Sequence, residues 1–382
     1  MKFVKLKEIC SAAQGVQIPK SKQIDSDADG YIRYLYIADF KDNGKRKYVK
    51  DIYRQKVVNA GDLIMANTGT PGVVFRGRHG VLSNNLFKIN FDQSLLNRDY
   101  LFYYLSSIKF QNIIGNQMKC GVQKHLGHKI LGEQLIPVLD LDSQFKIVKI
   151  LDKIRDLINK RKVQMKILED LIKSIFYNMF GDLRLNKYGW EEKELKDVCD
   201  KITDGTHDTP RKGENGVKFI TGRNIKPFKL DLSDLKFISE ADHRKIYRRC
   251  DPEYGDILYT NIGSGVGNAV FNPLHEEFSM KNVALLKLDK NRVNPIFMEY
   301  ELNYLKNCIL YKYCAGEAQA FLNLEVIGSL KLPIPPVKFQ DKFAASVQYI
   351  RNQREKLQKS LKKLQECFDS LTQKVFNGEL FD

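Results

Sequence analysis

Two stretches of the chain place apolar residues at alternating steps of four and three. In the first the series is Ile147, Leu151, Ile154, Ile158, Arg161, Met165, Leu168, Ile172, Ile175 and Met179. In the second it is Phe343, Val347, Ile350, Arg354, Leu357, Leu361, Leu364, Phe368, Leu371 and Val375. That spacing is the seam of a coiled coil and predicts two long helices. Each runs into a breaker, Gly181 or Gly378, where a helix stop is expected. One seam position in each is basic, Arg161 or Arg354. A polar seam residue either fixes the register at some cost in stability or snorkels past its neighbours.

Elsewhere the pattern is that of short strands. Apolar runs at Ile32 to Ala38, Leu63 to Asn67, Gly72 to Phe75 and Leu86 to Ile89 have counterparts at Phe219 to Ile220, Ile257 to Asn261, Asn268 to Phe271 and Ala284 to Leu288. Gly69 and Gly263 fall in the matching turns, where positive backbone angles are expected. Asn97 and Asn294 are N-cap residues for a helix in each half, the second followed by Pro295, which a first helical turn tolerates.

These correspondences belong to an internal repeat. Leu6-Lys7-Glu8-Ile9-Cys10 returns as Leu195-Lys196-Asp197-Val198-Cys199, and Gly61 to Thr70 returns as Gly255 to Ser264. Ser83-Asn84-Asn85 answers Ser279 to Asn282, and Gly121 to Leu126, with Gln123, answers Gly316 to Leu322, with Gln319. Pro137-x6-Gln144 answers Pro333-x6-Gln340. Matches in one order, shifted by about 190 to 197 residues, make the chain two copies of one unit. The expected division is a head at 1–136, a helix at 137–182, a second head at 183–332 and a second helix at 333–382. Each head is expected to be mixed α/β. If the second head is compact with neighbouring ends, the helices run antiparallel. The expected object is a dumbbell with an approximate two-fold axis and a spacer about 50 Å long, roughly 33 residues at 1.5 Å each.

Composition narrows the function. Among 382 residues, 62 Lys+Arg against 46 Asp+Glu leave a net charge of +16, which points to an anionic partner. With 43% hydrophobic and 28% charged residues the chain is not a disordered one. No apolar run approaches the roughly 18 to 20 residues of a membrane span, and Lys2, Lys5 and Lys7 interrupt any leader. A cytoplasmic protein without membrane contact is expected. Its seven scattered cysteines contain no C-x-x-C pair, and His125-x-x-His128 has no third ligand nearby, so neither a disulfide framework nor a metal site is expected.

An enzyme needs a constellation. The chain has no G-x-x-x-x-G-K-[ST], G-x-S-x-G or H-E-x-x-H. Gly263-Ser264-Gly265-Val266-Gly267 after Asp251-Pro252-Glu253-Tyr254 is the nearest approach to an S-adenosylmethionine-dependent DNA methyltransferase. Position 253 is Glu where a Pro is required, and a strand-like run rather than a helix follows the glycines. The other copy has Asn67-Thr68-Gly69-Thr70-Pro71-Gly72 instead. No catalytic residue and no cofactor are expected. A coiled-coil adaptor that binds only protein is the other alternative, and it leaves the positive charge unexplained.

Basic side chains recur near turns: Lys20, Lys22, Arg76, Arg78, Lys119 and Lys124 in the first head, Arg211, Lys212, Arg223 and Lys281 in the second. Beside them stand the hydroxyl, imidazole and amide side chains Gln123, Thr206, His207, Thr209, Ser264 and Gln319. Together they suit phosphate anchoring and the reading of base edges. For any single lysine or arginine a solvated surface charge is the ordinary condition; the total argues for nucleic acid.

The tandem unit of about 190 residues ending in a long helix resembles the specificity subunit of type I restriction-modification enzymes. Asp204-Gly205-Thr206-His207-Asp208-Thr209-Pro210, Gly121-Val122-Gln123-Lys124-His125-Leu126 and Val375-Phe376-Asn377-Gly378-Glu379-Leu380 are similar to that family. The first head departs from it, with Gln14-Gly15-Val16-Gln17-Ile18-Pro19 where Asp-Gly-Thr-His would stand. The resemblance implies a non-catalytic protein whose two heads are target-recognition domains, each binding half of a split, asymmetric site in double-stranded DNA. It also implies helices that hold two methyltransferase subunits and an assembly that recruits an ATP-driven restriction subunit.

Overall fold

The computed structural model describes residues 2–40, 46–119, 126–210, 212–263, 265–314 and 321–380. Gln123, Lys124, Arg211, Ser264 and Gln319 lie outside the described residues, and Lys119 and Lys212 are described by their backbone alone. The chain forms two compact units, Met1–Val163 with Leu357–Asp382, and Gln164–Lys356. Each unit holds one head and part of both long helices.

In the first unit a four-stranded antiparallel sheet has the order Cys10–Gln14, Leu86–Phe91, Leu63–Ala66, Val74–Arg76. A second sheet runs Lys47–Lys50, Tyr31–Leu35, Gly80–Leu82, Val57–Val58, with its two middle strands parallel. The second unit repeats the first sheet as Cys199–Asp204, Val283–Leu288, Ile257–Thr260, Ala269–Phe271. It keeps a parallel pair in its second sheet, Lys212–Thr221 against Ser279–Lys281. The repeat read from sequence is therefore a repeat of topology. The inner strands Leu63–Ala66 and Ile257–Thr260 are buried at every position, because sheet neighbours cover their edges and packed layers both faces. Gly69 and Gly263 turn into the next strand at φ +72° and +96°, conformations that suit glycine.

Two expected strands differ most in extent. Ile32 to Ala38 ends early, at Leu35, because Asp39 accepts from the Tyr36 N–H at 2.8 Å and from Arg33, bending the backbone into a 3-10 turn at Ile37–Phe40. The expected Phe219 to Ile220 grows to the ten-residue Lys212–Thr221 by pairing on both edges. Partners distant in sequence supply that length.

Both predicted caps form. The Asn97 side chain accepts from the Asp99 and Tyr100 N–H groups to start Arg98–Ser106, and Asn294 accepts from Ile296 N–H to start Pro295–Tyr313. Each cap is gripped by the glutamine that opens its own long helix. Gln144, fully buried, accepts from Asn97 N–H at 2.8 Å and donates to the carbonyls of Leu95 at 2.7 Å and Leu139 at 2.8 Å. Gln340, equally buried, accepts from Asn294 N–H at 2.8 Å and donates to those of Arg292 at 3.2 Å and Pro335 at 2.6 Å.

The long helices are Leu141–Phe180 and Val337–Asn377, of 40 and 41 residues, and Gly181 and Gly378 stop them at φ +73° and +86°. Along them Ile147, Leu151, Ile158, Ile172, Phe343, Val347 and Ile350 are buried. Ile154, Met165, Leu168, Ile175, Leu357, Leu361, Leu364, Phe368 and Leu371 are half-buried. Arg161 is also half-buried, whereas Arg354 is exposed and pairs at 2.5 Å with Glu169 of the facing helix. Within the first unit Phe376 packs on Tyr100, whose hydroxyl donates to the Pro137 carbonyl just before the first long helix. Phe368 packs on Tyr103, whose hydroxyl donates to Asp152 further along that helix. As one helix advances the other retreats, so the pair is antiparallel. The second unit has the same sense, with Phe343 on Phe176 and Phe180 and Arg354 on Glu169. In each unit one apolar core runs from the head into the helix pair.

An arginine on the long helix stacks on the head helix in both copies: Arg155 lies 5.2 Å from the Tyr103 ring, and Arg351 lies 5.5 Å from the Tyr300 ring. Arg351 also neutralises the buried Glu299 carboxylate at 2.5 Å. Two residues on, Glu301 is fully buried and neither of its carboxylate oxygens has a hydrogen-bond partner among the described residues. Burial holds its pKa well above the ordinary carboxylate range. The residue equally far beyond the other cap is Tyr104, which donates to the Leu135 carbonyl at 2.9 Å.

Replacing Gln144 or Gln340 by Leu should destabilise its unit by about 3 kcal/mol, because a buried N–H and two carbonyls lose their partner. Urea unfolding checks this, and a loss under about 1 kcal/mol would count against the clamp. Because burial disfavours its ionised form, Glu301 ionises first in the unfolded chain. Its stabilising contribution is therefore full below the unfolded value of about 4.3 and falls by about 1.4 kcal/mol per pH unit above it, until the folded group ionises. Glu301→Gln should remove that fall, so that melting curves of variant and wild type diverge as pH rises from 4 to 8.

Candidate nucleic-acid interface

The parallel strand pair and the turn beside it build one surface in the second head. Asp204 ends the strand Cys199–Asp204, and its buried carboxylate is bracketed by two cations or donors. Arg249 Nη2 donates to Asp204 Oδ1 at 2.5 Å, and His207 Nε2 lies 2.9 Å from Oδ2. Gly205 N–H donates to the Val283 carbonyl and Thr206 N–H to the Met280 carbonyl, clipping the turn to the neighbouring strand. A Cβ at Gly205 would stand 2.0 Å from the Met280 oxygen, so the close approach requires glycine. The Thr206 hydroxyl accepts from Asp208 N–H, Lys281 donates to the Thr209 hydroxyl, and His207 Nδ1 lies 3.3 Å from Asn282 Oδ1.

Beyond that turn lies a cleft of about 340 Å³. Thr209, Thr221, Arg223, Phe237, Lys281 and Asn282 line it. Arg223 is exposed, and Phe237 presents 36% of its surface to solvent. Cations, amide and hydroxyl donors and an aromatic face in one concavity are the groups that hold phosphate and base.

The first head follows the same backbone path. Gly15 N–H donates to the Leu86 carbonyl and Val16 N–H to the Leu82 carbonyl, and a Cβ at Gly15 would stand 2.1 Å from the Ser83 oxygen. Val16 bridges Ser83 in parallel as Thr206 bridges Lys281. Where the second head has Asp204, Gln14 donates to the Asn84 and Leu86 carbonyls and lies 3.1 Å from His128 Nε2. The sequence departure at Gln14-Gly15-Val16-Gln17 is thus a change of side chains on a kept frame.

The family model of the type I restriction modification DNA specificity domain matches this chain twice, at residues 1–168 and 187–366. The chain belongs to the type I restriction-modification DNA specificity family. It is similar to the type I restriction enzyme MjaVIII specificity subunit of Methanocaldococcus jannaschii, with 25% identity over 368 residues, 89% of this chain and 86% of that protein. In fold it matches the type I restriction-modification S subunit from M. genitalium at TM-score 0.58 and 16% identity, covering 98% of this chain and 96% of that one. It also matches a chain from a structural study of complex assembly and conformational transition of the type I R-M system at TM-score 0.55 and 17% identity, covering 99% and 98%.

In this specificity-family chain the expected contact residues do not all gather. Thr206, His207, Thr209, Lys281 and Arg223 come together at the turn and cleft. Lys20 and Lys22 are exposed on a 3-10 turn of the first head, and Arg78 is exposed on a loop. Arg76 is half-buried against Asp99 at 2.8 Å and Asp152 at 3.6 Å, with its guanidinium 4.4 Å from the Phe102 ring. Its charge fastens the sheet to two helices. Lys287 likewise gathers Glu253 at 2.8 Å, Asp256 at 3.3 Å and Asp251 at 3.7 Å, and burial pushes the Asp256 carboxyl up. The Asp251-Pro252-Glu253-Tyr254 fragment is therefore a turn around a lysine. The glycines after it sit in the antiparallel hairpin between Ile257–Thr260 and Ala269–Phe271, not at a helix start.

Arg249, Phe237 and Asn282 escape a reading of sequence. Arg249 comes from the helix Glu240–Cys250, which has no counterpart among the described residues of the first head, and Phe237 from a three-residue strand. Asn282 stood inside the repeated Ser279 to Asn282, and its positive φ of 55° turns it toward His207. Gly205→Ala should push the turn off its strand. Amide exchange at Thr206 and Asn282 should then quicken by roughly tenfold or more while the core helix amides hold their protection; unchanged exchange at both would refute the tight-approach argument.

Proposed function

We propose that this chain is the non-catalytic DNA-reading subunit of a type I restriction-modification enzyme, acting in the cytoplasm. Its heads, residues 1–136 and 183–332, each read half of a bipartite, asymmetric site in double-stranded DNA. The segments 137–182 and 333–382, which carry the long helices, dock two methyltransferase subunits through which an ATP-dependent restriction subunit is recruited. The observation that carries the reading is one rigid frame built twice with different polar side chains at its tips. Two readers with one scaffold and unlike contact groups select two unlike sequences. The cleft with Arg223 and Lys281, and the net charge of +16, supply the phosphate attraction such reading needs.

Docking on the helices is supported by apolar side chains off the seam. Ile150, Leu157 and Val163 on the first long helix in the first unit are 48% exposed or more, as is Ile167 in the second, where Leu171 is 43% exposed. A helix with an unpaired apolar ridge beside its buried one is fitted to receive further helices. No described helix is long and apolar enough to cross a membrane, so the ridge is not a span.

Duplex affinity should fall steeply between about 50 and 200 mM salt, by a thousandfold or more if six or more phosphates are contacted. Arg223→Glu with Lys281→Glu should weaken binding and flatten the slope of log affinity on log salt by up to about 1.8, at 0.9 per lost contact. Fluorescence anisotropy across a salt series measures both. Affinity indifferent to salt would overturn the DNA reading.

A further inference from the structure

Three exposed side chains and the half-buried Asn282 meet in pairs at the same place in both heads. Gln17 follows the tight glycine of the first head by two residues, as His207 follows that of the second. Across the parallel bridge, Asn84 stands next to Ser83, and Asn282 next to Lys281. Asn84 Nδ2 lies 3.4 Å from Gln17 Oε1, and His207 Nδ1 lies 3.3 Å from Asn282 Oδ1.

The backbone beneath each pair has no freedom. Both strands are hydrogen-bonded below it, and the glycines admit no Cβ. Both contacts are at the long edge of hydrogen bonding, and the amides of Gln17, Asn84 and Asn282 have further donor or acceptor capacity. His207, by contrast, is held at both ring nitrogens, by Asp204 at 2.9 Å and Asn282 at 3.3 Å, and so positions the Asn282 amide. Rigid support with amide groups left over is the arrangement that reads a base edge, where amides meet adenine N6 and N7.

Resting on the reading of the heads as DNA readers, we infer that Gln17 with Asn84, and His207 with Asn282, are the specificity-determining pairs of the two half-sites. Each pair sets the base preference at one or two adjacent positions of its own half-site, and the difference between them makes the site asymmetric. Arg223 and Lys281, by contrast, anchor phosphate and carry no preference. Removing a pair member changes which sequence is bound, and removing an anchor changes how tightly any sequence is bound.

The test uses the full chain and a pool of DNA duplexes with randomised positions, sequencing the bound fraction. The wild type should enrich a bipartite motif. Gln17→Ala and Asn84→Ala should both relax preference at the same one or two positions of one half, by roughly 10- to 100-fold, and leave the other half intact. His207→Ala should do this in the other half only. Gln17 and Asn84 are exposed, so the melting temperature of their variants should stay at the wild-type value, and in His207→Ala the buried Asp204 carboxylate keeps its Arg249 partner. A wild-type chain that enriches no motif sinks the DNA reading and the pairs with it. A wild-type motif that survives all three variants, or Gln17→Ala and Asn84→Ala acting in different halves, sinks the pairs alone.

Discussion

A buried glutamine side chain has three hydrogen-bonding obligations that only a closely fitted site can meet, and in each unit one such site joins head to helix. Gln144 and Gln340 each take one N–H and give two, and all three partners are backbone atoms at segment ends. Because unmet buried polar groups are costly, displacement of the head helix along the long helix breaks several bonds at once. The Arg155 and Arg351 stacks and the shared apolar core add to a placement that this clamp already defines. Everything the heads present to a ligand is positioned from there.

Given that rigidity, divergence is confined to groups the frame does not need. The carboxylate of Asp204, held by Arg249 and His207, has become an amide in Gln14, held by backbone carbonyls and His128. Both solutions satisfy the same end of a strand with different chemistry. The exposed tips then differ, imidazole in one head and amide in the other, without altering the turn. Even the interior shows this tolerance, where Tyr104 reaches a carbonyl and burial pushes the Glu301 carboxyl up.

Charge divides along the same line. Cations that the sequence presents alike take opposite duties, Arg76 and Lys287 neutralising carboxylates inside and Arg223 and Lys281 facing the cleft. A partly buried ion pair fastens elements because its partner would otherwise be left unpaired, whereas an exposed cation has its long-range field available for a phosphate backbone.

The amino-acid sequence by itself determined what is periodic or duplicated: the two long helices, the capping asparagines, the glycine turns, the inner strands and the repeat that joins them. Those features are encoded locally, by steps of three and four, by residues that cap or break, and by the same words recurring in one order. Tertiary structure alone decided which cations are spent inside, why Gln144 and Gln340 recur, how far Lys212–Thr221 extends, and that Arg249, Phe237 and Asn282 belong beside His207. Each of these depends on a partner tens of residues away, and spacing along the chain carries no record of which distant group a side chain will meet.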